Sequence, residues 1–233
     1  MIGLVAAGLA LVVVAVVGVA VLTGGDGGGG GETPAEELKV GQIAGGAEAR
    51  PGTDGSLTMT RPGVERPLVE VYEDFACPPC GKFDRMIDPV LKELAVAGKA
   101  KVVYRPMVVF SKGLEPMYGN SLRAASAMRC MTDGARWLAY QDALYEHQPA
   151  SEHTKGYATA DLISYAAPLG ITGDTFETCV KEQQRAPAVL EASRGYISDG
   201  VQGTPSVRVD GRPLSSSEVG TADQVRAAIE SRG

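Results

Sequence analysis

Two cysteines, Cys77 and Cys80, stand where the hydrophobic rhythm of the chain changes period. Before them, Leu68-Val69-Glu70-Val71-Tyr72 is rich in the branched and aromatic side chains that suit a pleated surface. After them, Phe83, Met86, Ile87, Val90, Leu91 and Leu94 recur at three- and four-residue steps, which predicts one buried face of a helix. The Cys-x-x-Cys therefore belongs at a strand-to-helix junction, with Cys77 near the helix N-cap and Cys80 in the first turn. A helix N-terminus offers unpaired N–H groups and a partial positive charge, both of which favour a thiolate. That placement makes Cys77 the attacking sulfur and Cys80 the resolving one. Pro78 fits the first turn, where its missing N–H is no loss.

Other uses of such a pair require partners that the sequence does not supply. Zinc needs a second close pair of ligands, whereas Cys130 and Cys179 are isolated and the histidines are His147 and His153. Covalent haem attachment needs His after the second cysteine, and Gly81 stands there. An inert structural disulfide is the remaining alternative to a redox pair. No metal and no bound cofactor are expected.

The chain has 233 residues, 44% of them hydrophobic, enough for one sizeable domain. A net charge of −6 without a basic stripe argues against a nucleic-acid partner. Residues 1–22 are expected to be a single membrane-spanning helix. Ile2 to Leu22 carries no charge, and at ~1.5 Å per residue it matches a bilayer's hydrocarbon core. Val19-Ala20-Val21 offers no small-x-small cleavage site. The acidic stretch that follows suits the translocated side, and disulfide chemistry suits an oxidising compartment. Residues 23–54, rich in Gly, Pro and Ala, are expected to be a flexible tether.

Ser56 to Thr60 alternates and ends at Pro62, so it reads as a short edge strand. Lys101 to Arg105 is a further strand, expected parallel to the one at Leu68 because a helix crosses between them. Residues 120–198 then read as helix after helix. Their faces are Leu122/Ala125/Met128, Trp137/Tyr140/Leu144, Leu162/Tyr165/Ala166, Phe176/Cys179/Val180 and Val189/Ser193/Tyr196/Ile197. Trp137 falls on such a stripe and is expected in the core, while His147 and His153 read as solvated. Strand signals return at Ser206 to Val209, with Asp210-Gly211 as a hairpin turn. Thr221 opens a last amphipathic helix with a capping pattern.

With Asp74-Phe75-Ala76-Cys77-Pro78-Pro79-Cys80 and Gly203-Thr204-Pro205-Ser206 both in view, the chain resembles the DsbA-like thiol–disulfide oxidoreductases, in particular the membrane-anchored actinobacterial ones. The resemblance runs from about residue 55 to the end. It implies an α/β thioredoxin fold, core residues 55–118 and 199–233, with an all-helical subdomain inserted at 119–198. It implies that Pro205 is a cis-proline facing the thiols, with Thr204 presenting its backbone to an extended substrate. Cys130 and Cys179 lie on apolar helix faces as either two buried thiols or a bridge, and the resemblance favours a structural disulfide. Two features depart from the family. Pro79 stands where strongly oxidising members carry His, and Val71 stands where many thioredoxin-like proteins bury an acid. Glu73 and Asp74 are nearby but read as solvated carboxylates at a strand end.

The function expected from this reading is an extracytoplasmic enzyme that introduces disulfides into exported, unfolded proteins through Cys77 and Cys80. By the resemblance, a membrane reoxidase of the DsbB or vitamin-K-epoxide-reductase-like type would restore it. The rivals are a reductase or isomerase, for example in cytochrome c maturation, and a thioredoxin-like module that binds unfolded proteins without turnover.

Overall fold

The computed structural model describes residues 42–232. The apolar segment 1–22 and the tether up to residue 41 lie outside the described residues. Among the described residues, no helix is long and apolar enough to cross a membrane.

The described strands are β1 (Gln42–Ile43), β2 (Ala47–Pro51), β3 (Leu57–Thr60), β4 (Leu68–Glu73), β5 (Lys101–Pro106), β6 (Ser206–Val209) and β7 (Arg212–Pro213). They form one sheet in the order β1-β2-β3-β5-β4-β6-β7. The β4–β5 pair is parallel, with Val69 opposite Val102 and Val71 opposite Tyr104, while β6 pairs antiparallel to β4 on its other side. Val69, Val71, Val102 and Tyr104 are fully buried, so the redox strand lies in the middle of the sheet. The crossover from β4 to β5 runs through α1 (Pro78–Met86) and α2 (Asp88–Val96).

One continuous helix was expected there, and the chain instead breaks it at Ile87 (φ −114°, ψ −40°). The cause is Pro89, which has no N–H for the i−4 bond and whose ring crowds the carbonyl of Arg85. The break turns Met86 outward, leaving it 45% exposed rather than buried with Ile87 and Leu91.

The tether reading fails from residue 42 onward, and with it the edge position of the strand at Leu57. β2 pairs with β3 in register Ala49 to Met59, and β1 pairs outside β2, so β3 is an interior strand. Ala47 and Ala49 are fully buried and join Met59 on the core side. Their small size is functional. A side chain at Gly134, the first residue of the helix packed over β2, would strike the Ala49 backbone. Composition suggested a linker because the strand is built for close approach rather than bulk.

Between β5 and β6 lie α3 (Met117–Met128), α4 (Gly134–Glu146), α5 (Thr159–Ala166), α6 (Asp174–Lys181) and α7 (Ala186–Ser198), matching the five expected faces. Trp137 is 1% exposed and packs with its ring 5.9 Å from that of Tyr104, joining the helical subdomain to the sheet core. Ile197, counted on the α7 face, is instead 50% exposed. The turn between β6 and β7 is tight, with Asp210 and Gly211 both at positive φ. Asp210 also accepts a hydrogen bond from the Leu68 N–H at 3.0 Å, which ties the hairpin to the start of β4. The final helix, α8 (Ala222–Glu230), is capped by Thr221 Oγ1 accepting from the Gln224 N–H.

Candidate active site

Strand β4 delivers the chain into the core, and the segment Asp74-Phe75-Ala76 turns it onto α1. Cys77 is the N-cap of α1 with extended backbone, and Pro78 follows as the first helical residue. The Cys77 carbonyl accepts from the Cys80 N–H at 2.9 Å, which closes the first turn around the two sulfurs. Both cysteines are free thiols, Cys77 at 5% and Cys80 at 1% exposure, while Pro78 and Pro79 are exposed beside them.

The two thiols are driven apart in acidity. A hydrogen bond from the Cys80 thiol is the main influence that lowers Cys77 to about 7. Burial opposes it, Thr204 and the Cys80 backbone N–H assist, and the charge of Asp74 works against. Burial first, and then the neighbouring Cys77, hold Cys80 well above the ordinary thiol range. The reactive sulfur and the resolving sulfur are thus distinguished by environment.

The loop before β6 closes the site from the opposite side. The peptide between Thr204 and Pro205 is cis, and the Cys77 thiol donates to the Thr204 carbonyl at 3.2 Å. The Thr204 hydroxyl is buried without a partner among the described residues, so it is available to a thiolate at Cys77. Residues distant in sequence, Cys77, Cys80, Thr204 and Pro205, are therefore gathered at one place.

Cys130 and Cys179 are elsewhere, bonded to each other between the turn that follows α3 and helix α6 at a sequence separation of 49. His147 is exposed and stacks on Tyr165 with ring centroids 4.1 Å apart, and His153 is exposed in the following loop.

Glu73 and Asp74 are not solvated. Glu73 is 4% exposed and accepts from Gln141 Nε2 and the Tyr145 hydroxyl, all at 3.0 Å. Burial, followed by the charge of Asp88, raises its carboxyl to about 8. Asp74 is fully buried and accepts from the Ser121 hydroxyl at 2.6 Å and from the N–H groups of Ala76 and Val109 at 2.9 Å. Burial raises it to about 6, and those three donors pull the other way. Its own N–H points at the Cys80 sulfur at 3.5 Å. The partners that bury these acids sit on α3 and α4, far along the chain, which is why the strand-end pattern gave no sign of it.

The other acids that could hold a metal are Asp84, Asp88 and Asp142, whose oxygens lie within 4.8 Å of one another. Lys92 already supplies a cation there, with Nζ 2.8 Å from Asp88 and 2.6 Å from Asp142.

A family model for thioredoxin matches residues 66–231. Among solved structures, the chain is similar to the reduced disulfide bond oxidoreductase DsbG of Mycobacterium tuberculosis. It is 28% identical, with 74% of this chain and 81% of that one covered at a TM-score of 0.60. Oxidised DsbA of the same organism is 25% identical, covering 80% of this chain and all of that one, at a TM-score of 0.57. The thiol–disulfide oxidoreductase MdbA of Corynebacterium diphtheriae shares the fold at 19% identity, covering 77% and 93%, with a TM-score of 0.64. Among curated proteins, Na(+)/H(+) antiporter NhaA 1 of Salinispora arenicola is 27% identical over 149 residues, 64% of this chain. The chain spans about a fifth (21%) of that relative's length.

Proposed function

Because this chain belongs to the thioredoxin family, we propose that it is a thiol–disulfide oxidoreductase whose Cys77–Cys80 pair introduces disulfides into exported proteins on the extracytoplasmic side of a membrane. The observation that carries the reading is geometric: Cys77, the N-cap of α1, donates to the Thr204 carbonyl at 3.2 Å, and the buried Cys80 closes the same helical turn through its N–H. Similarity to DsbG and DsbA of M. tuberculosis supports the chemistry. The uncharged stretch from Ile2 to Leu22 supports anchorage.

In the proposed cycle a substrate thiolate attacks Cys77 Sγ in the Cys77–Cys80 disulfide. The S–S bond breaks, its electron pair passes to Cys80, and Cys80 takes up a proton, which its raised pKa favours. The Asp74 N–H stabilises the departing sulfur. A second substrate thiolate then attacks the substrate sulfur of the mixed disulfide. Cys77 departs as a thiolate, a good leaving group because its pKa is low. The substrate loses two electrons and the enzyme gains them. Reoxidation requires a disulfide or quinone-linked membrane partner of the DsbB or vitamin-K-epoxide-reductase-like type. The Thr204 carbonyl and its neighbours would pair with extended substrate backbone.

Pro79 favours a second reading, in which electrons flow the other way. With no imidazole between the cysteines, one stabiliser of the Cys77 thiolate is absent, and each tenfold in the exchange constant shifts the potential by ~30 mV. The equilibrium constant with glutathione separates the two. A potential near −120 to −180 mV supports disulfide donation, whereas one near about −270 mV makes the protein a reductase. Absence of any transition at Cys77–Cys80 sinks both.

A further inference from the structure

The turn that carries Cys77 is gripped from outside its own strand and helix. Gln148, in the segment between α4 and α5, donates from Nε2 to the Phe75 carbonyl at 2.8 Å and to the Cys77 carbonyl at 2.9 Å. Both partners are acceptors only, so the amide must present its nitrogen to them. The amide oxygen lies on the other side, against Gly81, where any β-carbon would overlap Gln148 Oε1. The residue directly after the second cysteine and the Gln148 side chain therefore compete for one volume, and glycine concedes it. The Cys77 oxygen also receives the first bonds of α1, from the N–H groups of Cys80 at 2.9 Å and Gly81 at 3.3 Å. The Phe75 oxygen is shared with the Tyr157 hydroxyl at 3.1 Å.

We propose that Gln148 is a positioning residue for thiol–disulfide exchange: it locks the backbone of Cys77 so that the sulfur is held between Cys80 and Thr204, and Gly81 is the residue that admits it. The inference rests on the thiol–disulfide reading above and adds a residue to its site. The physical reason is the steep dependence of hydrogen bonding on geometry. Cys77 keeps its acidity chiefly through hydrogen bonds from the Cys80 thiol and N–H, which work against burial and the Asp74 charge. If the Cys77 backbone swings free, those bonds lengthen while the opposing influences stay.

The test uses the full chain with Gln148→Ala, Gln148→Glu, Gly81→Ala and the Gln148→Ala/Gly81→Ala double variant. Two quantities are read: the Cys77 pKa, from the pH dependence of alkylation, and the equilibrium constant with glutathione. Each single variant should raise the Cys77 pKa by about one unit and make the enzyme about tenfold less oxidising, ~30 mV. Gln148→Glu keeps the volume but turns acceptors toward two carbonyls, so it should shift Cys77 at least as far as Gln148→Ala; a packing role would leave it near wild type. Gly81→Ala favours helix, so its effect would not come from a weakened α1. The double variant should be no worse than either single, because both break the same contact. A wild-type enzyme that titrates and exchanges, beside Gln148→Ala and Gln148→Glu variants with unchanged pKa and equilibrium, overturns the proposal. So do fully additive effects of Gln148→Ala and Gly81→Ala. A wild type with no Cys77–Cys80 transition overturns the thiol–disulfide reading itself, and the proposal with it.

Discussion

At the scale of single residues, burial acts alike on neighbouring groups and hydrogen bonding divides them. Desolvation alone would raise Cys77, Cys80, Glu73 and Asp74 together. Cys77 escapes chiefly because the Cys80 thiol donates to it, and Asp74 is restrained by three donors, whereas Glu73, with two donors and the charge of Asp88 nearby, climbs to about 8. This acid therefore holds its proton in the fold at pH values where the unfolded chain has released it. The sign follows: between its ordinary value of 4.5 and about 8 the native state binds the extra proton, so stability declines as pH rises through that window. The slope reaches ~1.4 kcal/mol per pH unit when one group is responsible. Glu73→Gln should flatten this decline, giving a variant whose advantage over wild type grows from pH 5 to pH 8 in urea denaturation. A variant whose stability profile runs parallel to wild type would show that Glu73 does not carry the linkage. Neither acid could be placed from the sequence. Burial at the end of β4 is decided by Ser121, Gln141 and Tyr145, residues that come into reach only once α3 and α4 have folded back.

At the scale of elements, legibility followed the strength of the periodic signal. Strand β4, the redox turn and the five inserted helices were readable because apolar side chains recur at the right steps, and Thr221 and Asp210-Gly211 because capping and turn chemistry is local. Pro89 was visible too, but its weight against a continuous apolar stripe was not. β1 and β2 went unread because the alanines of β2 and the Ala44-Gly45-Gly46 turn before it signal flexibility in composition, whereas Ala49 serves a close approach between β2 and α4. Gln148 went unread because a loop glutamine carries no pattern at all. The close approach yields an expectation contrary to helix propensity. Alanine favours a helix over glycine, yet Gly134→Ala at the start of α4 should destabilise the protein by about 1–3 kcal/mol, because the added carbon meets the Ala49 backbone. A denaturation midpoint at or above wild type would mean that β2 can move aside without cost.

At the scale of the whole molecule, the thioredoxin core is interrupted in sequence but not in space: β4 lies between β5, which precedes the helical insertion, and β6, which follows it. The insertion is tied to the site by hydrogen bonds from Ser121, Gln141, Tyr145, Gln148 and Tyr157 to residues 73–77. It is stapled internally by Cys130–Cys179, which restrains the unfolded chain over a separation of 49 residues. Loop-closure entropy puts the contribution of that bridge at up to about 4 kcal/mol. Replacing both cysteines by serine should lower stability by that order while the exchange kinetics of Cys77 persist, measured by denaturation and by alkylation rate. Equal loss of both would mean that the bridge also shapes the site. The sheet order has a mechanical consequence as well. Tension entering the domain through Gln42 falls on β1, which is held to β2 by two residue pairs. Three strands, β2, β3 and β5, separate β1 from the strand that ends at the cysteines. The outermost strand can peel like a fuse while the redox turn feels no pull, so a domain tugged from its N-terminal side keeps its chemistry in register.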